Sequence, residues 1–270
     1  MLKKETILKS FNEDDAKEAI KIYEKYKLAY EKDITVFTSS FYSPNIWSFF
    51  ENCCSSNEVM FEANGLFEES ERRMICFNNL YNVDYPIKIL EIKNKSNFSN
   101  LKHKDYLGSI LSLGIERNKL GDIIVKENKA YLPVLEEISD YIINNLSHIG
   151  KSPIEIKIID NISDIPSVNF EEIVINVSSL RADSIVAKLS SLSRAKAIEL
   201  IDSGKVLINY VKAKDKSQDI VKDTRVTIRG IGKFIIGDVI GGTRSGKQRI
   251  VIKKYIWCVE VILWSLLQWI

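Results

Sequence analysis

Histidine is nearly missing from this chain and cysteine is sparse: two of the first and four of the second in 270 residues. Cys53, Cys54, Cys76 and Cys258 form no Cys-x-x-Cys pair, and His103 and His148 join no cluster with zinc-ligand spacing, so neither a metal nor another cofactor is expected. Neighbouring Cys53 and Cys54 do not readily bridge each other, and free thiols of this kind usually pack as small apolar groups. Five prolines and twelve glycines leave little room for long flexible linkers. The opening stretch, Met1 to Asp15, is polar and lacks the apolar core of a secretory signal, so a cytoplasmic protein is expected, with no membrane partner.

What the chain does have is an ordinary globular composition, 45% hydrophobic and 27% charged, long enough for two or three modules. Its formal charge is only +2, but the distribution is uneven. Residues 1–178 hold 21 basic and 28 acidic side chains, whereas residues 179–255 hold 17 basic and 7 acidic. A segment so enriched in cations has the electrostatic footprint of a polyanion binder.

Periodicity predicts an α+β protein. Residues 13–32 place Ala16, Ala19, Ile20, Tyr23 and Tyr26 or Tyr30 on one helical stripe, and Ser43-Pro44 opens a second helix running to about Cys54. Strands are expected at Val59–Ala63 and Met74–Phe77, completing a small α+β unit over residues 1–80. Residues 81–165 read as strand, helix, strand, strand, helix, strand: Ile87–Ile92, Leu101–Leu113, Asp122–Val125, Ala130–Val134, 135–146 and Ile154–Ile159. That order is the ferredoxin-like plan, shared by RNA recognition motifs and by many proteins with other functions. Ile87–Ile92 lacks the aromatics of a stacking platform and Tyr131 is alone on the other inner strand, so RNA contact here is not expected to run through base stacking on the sheet. Asn161–Phe170 reads as a linker. Beyond it, two short helices (Arg181–Leu189 and Ser193–Ser203) precede strands at Lys205–Tyr210, Arg225–Arg229, Lys233–Ile240 and Arg249–Lys253.

The leading end of the second of these helices offers free backbone N–H groups and the positive end of the helix dipole, to which Ser193, Arg194 and Lys196 add a hydroxyl and two cations. Such a surface reads phosphate and shape rather than base edges. The surrounding run resembles the S4-like RNA-binding domain, named after a small-subunit ribosomal protein. The matching residues are Arg181 with Asp183, then Ser193-Arg194-Ala195-Lys196-Ala197, then Gly204-Lys205-Val206-Leu207-Ile208-Asn209, and finally Lys222-Asp223-Thr224-Arg225-Val226. The module is placed at residues 175–254. Candidate RNA contacts are Arg181, Ser193, Arg194, Lys196, Lys205, Asn209, Lys212, Arg229, Arg244 and Lys247, with a turn-stabilising role an equal alternative for Asn209.

Three further blocks extend the resemblance. They are Gly65-Leu66-Phe67-Glu68-Glu69-Ser70-Glu71-Arg72-Arg73, His103-Lys104-Asp105-Tyr106-Leu107-Gly108-Ser109, and Gly114-Ile115-Glu116-Arg117 followed by Leu120-Gly121-Asp122-Ile123. With the basic module they resemble the YlmH family of bacterial RNA-binding proteins, departing at Asn64, Ser70 and Lys104, where that family has Gly, Ala and Arg. The resemblance implies a bacterial RNA-binding factor that associates with the ribosome; a monomer is expected, and not an enzyme, because the chain shows no Gly-Arg-Leu-Asp catalytic segment, no Gly-rich methyl-donor loop after a strand and no adenylate-binding HIGH/KMSKS pair. Its partners would be ribosomal RNA and possibly peptidyl-tRNA on the large ribosomal subunit, in rescue or quality control of stalled translation, with a genomic link to cell division. Arg72, Arg73, His103 and Lys104 are secondary candidates for RNA contact.

Other features weigh less. Gly241-Gly242-Thr243-Arg244-Ser245-Gly246-Lys247 imitates a phosphate-binding loop, but Gln248 follows and a strand, not a helix, comes next, so a basic hairpin loop is expected. His103 and Asp105 lie two apart on a helix and do not face each other. Two rivals are an RNA-modifying enzyme with its site near Asp105 or Asp122 and a division-associated scaffold. The end, Trp257 onward, holds three of the four tryptophans and is too short to span a bilayer comfortably. It is compatible with an interfacial helix, a core element or a frameshift scar, and the last is preferred because the family usually ends near Tyr255.

Overall fold

The structure, a computed structural model, describes residues 2–54, 59–67, 69–160, 165, 170–213 and 215–255. The chain divides into two compact units, Met1–Pro166 and Ser167–Ile270.

The first unit opens with α1 (Lys4–Ser10), a helix not expected in so polar a stretch; it buries Ile7 and packs on α2 (Glu13–Lys32). Asn12 caps α2 by accepting the Asp15 N–H, and Asp33 ends it in the left-handed region. The stripe that α2 buries is Ala16, Ala19, Ile22, Tyr26 and Ala29, rotated from the expected one so that Ile20 and Tyr23 lie at its margin. Next come β1 (Val36–Phe37), α3 (Pro44–Cys53), β2 (Phe61–Asn64) and β3 (Met74–Phe77), the strands forming an antiparallel sheet in the order β1-β3-β2. β3 is the fully buried strand, and the rings of Tyr26, Phe50 and Phe61 all meet Phe77 edge-on.

The chain continues through β4 (Ile87–Asn94), α4 (His103–Leu111), a 3₁₀ turn at Arg117–Lys119, β5 (Ile124–Lys126), β6 (Lys129–Leu135), α5 (Glu136–Asn145), β7 (His148–Ile149) and β8 (Ser152–Ile159). The sheet order is β5-β6-β4-β8-β7 with every pair antiparallel. Strand alternation sends Leu90 and Ile92 of β4 and Ala130, Leu132 and Val134 of β6 into one core with Tyr106, Leu107 and Ile110 of α4 and Ile142 of α5. A second cluster, Phe41, Met74, Ile87 and Leu135, joins the three-stranded sheet to the five-stranded one, so residues 1–166 share apolar packing.

The second unit runs β9 (Phe170–Val177), α6 (Ala182–Ser190), α7 (Arg194–Asp202), β10 (Val206–Ile208), β11 (Val211–Lys212), β12 (Arg225–Ile228), β13 (Gly232–Gly242) and β14 (Gln248–Tyr255). Its six strands lie antiparallel in the order β11-β10-β12-β13-β14-β9. β9 corrects the sequence reading, which stopped its linker at Phe170 and expected no strand after it. The strand pairs with β14 along its whole length, from Val177 opposite Gln248 to Phe170 opposite Tyr255. Ile173, Ile175 and Val177 face the core, and the adjacent Glu171 and Glu172 disguised that alternation. Most of the expected linker, and the apolar C-terminal stretch with Cys258, lie outside the described residues.

Gly121 marks where the two sheets of the first unit meet. Its N–H donates to the Pro133 carbonyl at 2.8 Å, and a Cβ there would come within 2.9 Å of the Pro133 ring and 3.3 Å of the Phe41 ring. Gly121→Ala is expected to lower stability by about 1–3 kcal/mol, read as a lower urea midpoint at unchanged slope. An unaltered midpoint would mean that the junction yields.

Candidate nucleic-acid interface

In the second unit α6 and α7 pack on the six-stranded sheet through Ala182, Ile185, Val186, Leu189, Ala197 and Ile201. Ser193 caps α7: its hydroxyl accepts the Lys196 N–H at 3.3 Å, satisfying one of the orphan donors of the first turn. Arg194 is the first helical residue, and its Nε and Nη2 donate to Asp183 Oδ2 at 3.1 and 2.8 Å. Arg181, at the N-cap of α6, donates to the same carboxylate at 3.3 Å through Nε and 3.1 Å through Nη2. The Asp183 side chain is 2% exposed, against 39% for Arg181 and 54% for Arg194. Burial by itself would raise the Asp183 carboxyl, but hydrogen bonds and charge from the two guanidinium groups outweigh it and hold the group below the usual carboxylate range. The arginines expected to be open phosphate hooks are therefore partly neutralised, and Asp215 and Asp219 also lie in the field of Arg181.

Lys196 is exposed on the first turn of α7 and forms no ion pair among the described residues. At the other end of α7, about 13 Å away at 1.5 Å per residue, a second group of cations assembles. Gly204 has positive φ, and the Lys212 side chain passes beside it, with Cδ 3.5 Å from where a Cβ would stand. The Arg229 N–H donates to the Lys205 carbonyl at 2.9 Å, so Lys205, Lys212 and Arg229 converge around the helix end. The Nε of Arg229 is buried without a hydrogen-bond partner among the described residues.

Asn209 has the turn-stabilising geometry that its sequence position allows. Asn209 and Tyr210 both have positive φ between the paired Ile208 and Val211, a two-residue hairpin turn of the primed type, and Asn209 Oδ1 accepts the Arg225 N–H at 2.9 Å. Arg244 and Lys247 occupy the tight hairpin between β13 and β14, where Thr243 N–H donates to Lys247 O at 2.7 Å and Gly242 pairs with Gln248. A strand follows that loop, as expected. Arg229 stands at the opposite end of β13, an 11-residue strand, so these two exposed cations form a separate patch.

The secondary candidates in the first unit go elsewhere. Arg72 is largely buried and donates through Nη2 to Phe41 O at 2.7 Å, while its backbone N–H and that of Glu71 donate to Asp122 Oδ2 at 3.0 and 2.6 Å. Arg117 is half-buried beside it and donates through Nη1 to Leu120 O and Gly121 O at 2.6 and 3.0 Å. Burial, together with the repulsion of Arg72, pushes the Arg117 guanidinium down. The Arg73 guanidinium lies 4.4 Å over the Trp47 ring and donates to Ser70 O. His103 is buried at the start of α4, where Asp105 caps the helix by accepting the Lys102 N–H at 2.8 Å. Lys104 alone of the four is exposed.

Residues 81–163 match a family model described as "Putative RNA-binding domain in YlmH". The ribosome-associated protein quality control protein P2 of Bacillus subtilis (strain 168) is 30% identical over 173 residues, which is 63% of this chain and 67% of that protein. The chain belongs to the YlmH family. A solved structure titled cell division protein ylmH from Streptococcus pneumoniae is 22% identical, with a TM-score of 0.47, and covers 58% of this chain and 97% of that one. In this YlmH-family chain, two of the blocks that carried the resemblance meet physically: the loop ending in Arg72-Arg73 is gripped by Asp122, beside Arg117. Asp183, Asp122 and Arg117 stand in the sequence as motif members, and their role as anchors is not legible there. The signal available was an acid placed near arginines, which does not reveal which group it will bind. Among the described residues no group of three or more His, Cys, Asp or Glu could hold a metal, and no helix is long and apolar enough to cross a membrane.

Asp183→Asn should lower the stability of the second unit by about 2–3 kcal/mol, because it leaves two guanidinium groups against a neutral amide. The native carboxyl sits below its ordinary value of 3.8, so its contribution is present above that pH and lost as pH falls further. Acid titration of the unfolding midpoint checks this: the native chain should weaken below that pH more steeply than the variant, and parallel curves would refute the assignment.

Proposed function

We propose that this protein is a non-enzymatic RNA-binding factor that associates with the ribosome, on the large subunit, during rescue or quality control of stalled translation. The observation that carries this reading is the match of residues 81–163 to an RNA-binding domain, in a chain whose second unit exposes Lys196, Lys205 and Lys212 around one short helix. The printed name of the Bacillus relative, ribosome-associated and concerned with quality control, supports the setting.

We read the middle sheet as a ferredoxin-like module and the second unit as an S4-like module. Lys196 and the outward edges of Arg194 would meet backbone phosphate at the leading end of α7, and Lys205, Lys212 and Arg229 would do so at its trailing end. Arg244 and Lys247 would form a separate contact. Arg72, Arg73 and His103 serve the fold in this reading. The two carboxylates that an active site would draw on are committed elsewhere, Asp105 to a helix cap and Asp122 to two backbone N–H groups, which supports binding over chemistry.

Lys196→Glu with Lys205→Glu tests the anchoring role without touching the Asp183 triad, which an Arg194 substitution would disrupt. The tagged chain is expected to leave the large-subunit fractions of a sucrose gradient. The milder Lys196→Gln, Lys205→Gln pair should reduce the slope of log affinity against log salt by about 1.4 for single-stranded RNA. Co-sedimentation that survives the double charge reversal would show that the second unit is not the anchor.

A further inference from the structure

The loop between β4 and α4 is wired so that it holds an aromatic ring away from the protein. Asn94, 3% exposed at the end of β4, donates through Nδ2 to Ser99 O at 3.0 Å and Ser99 Oγ at 3.1 Å, and its Oδ1 accepts the Ser96 N–H at 2.9 Å. Ser96 Oγ then accepts the Phe98 N–H at 3.2 Å, and Ser99 Oγ is 2.6 Å from Ser152 Oγ on β8. Lys95 N–H ties the base of the loop to Pro153 O at 2.9 Å. Phe98 stands at the tip of this network with 102% relative exposure, the most exposed of the large apolar side chains in the described residues. Three residues on, Leu101 packs against the core, whereas Phe98 does not.

Its surroundings are cationic. Residues 93–104 contain Lys93, Lys95, Lys102 and Lys104 and no Asp or Glu, and Lys151 is exposed in the turn that leads into β8 beside Ser152; Glu155 of β8 reaches this patch and pairs with Lys95 at 3.2 Å. The sheet itself cannot supply a stacking surface. Tyr131 is 6% exposed, and its cross-strand neighbour Glu91 is buried and held by Lys129 at 3.0 Å and Lys157 at 3.3 Å.

We propose that Phe98 is a base-stacking contact for unpaired RNA, its ring taking one face of a splayed nucleobase while the flanking lysines meet the phosphates on either side. A flat apolar ring between ammonium groups matches the alternation of base and phosphate along a single strand, and every base has a face that it can cover. A paired base in an A-form duplex has both faces covered by its neighbours and cannot accept the ring. This inference rests on the RNA-binding reading and deepens it, because it gives residues 81–163 a contact that discriminates unpaired from paired RNA.

The full chain and its Phe98→Ala and Phe98→Trp variants can be titrated with a fluorescein-labelled oligouridylate and with an RNA duplex of the same length. Phe98→Ala is expected to weaken oligouridylate binding by about tenfold with its salt slope unchanged, to leave duplex binding unaltered, and to melt at the native temperature. Phe98→Trp should bind at least as well as the native chain. Oligouridylate affinity unchanged in Phe98→Ala overturns the proposal, as does an equal loss on both probes. Loss of ribosome co-sedimentation with oligouridylate binding intact would also overturn it and place the loop against a protein. If the native chain binds neither probe, the RNA-binding reading fails too, so the two failures are distinguishable.

Discussion

Asp183 lies almost wholly away from water with two guanidinium groups on its carboxylate, and the geometry of the basic unit follows from that arrangement. A lone buried carboxylate would either take up a proton or destabilise the fold. Arg181 at the start of α6 and Arg194 at the start of α7 remove that penalty together, and in doing so they hold the leading ends of the two helices next to each other. Ser193 fixes the entry to α7 from the other side through its cap. The orientation of α7, and with it the position of Lys196 at one end and of Lys205, Lys212 and Arg229 at the other, depends on this three-residue contact. The charge left to face a polyanion comes mainly from lysines, whose ammonium groups stay solvated, and less from the arginines that the motif makes conspicuous.

The first unit also uses a carboxylate as an anchor, with backbone donors in place of guanidinium groups. There a carboxylate, Asp122, accepts two consecutive backbone N–H groups and draws the loop before β3 down onto the segment that precedes β5. Arg72 and Arg117 lie half-buried alongside and donate to backbone carbonyls of Phe41, Leu120 and Gly121, so their donors satisfy loops that regular secondary structure would leave unpaired. Gly121 permits the approach because any side chain would strike Pro133. Strong motifs in this protein thus mark two different jobs: some residues make surfaces, and others hold together the loops that display them.

Those surfaces differ in physical character. In the proposed reading, exposed lysines around α7 would act through long-range charge and be sensitive to salt. Phe98 would act at contact distance through an apolar ring and would not be. A chain that carries both kinds of contact can separate its affinity for a polyanion from its preference for one RNA structure.

Periodicity alone determined most of the elements: α2, α3, the strand–helix order of residues 87–159, the two helices after Arg181 and the hairpin after Gly242 all follow from apolar spacing and turn residues. It missed the two-residue strands β1, β7 and β11, and it failed at α1 and at β9, where charged residues interrupt the apolar pattern and burial is supplied by partners distant in sequence, α2 for Ile7 and β14 for Ile173 and Ile175. Residue types likewise identified the cations but not their fates. Whether an arginine meets solvent, a carboxylate, a carbonyl or a ring is decided by which segments fold against it, and that separates Lys196 from Arg194, and Lys104 from Arg72 and Arg73. The exposure of Phe98 is the clearest case: by composition it is one more phenylalanine for the core, and only the hydrogen bonds of Asn94, Ser96 and Ser99 turn it outward.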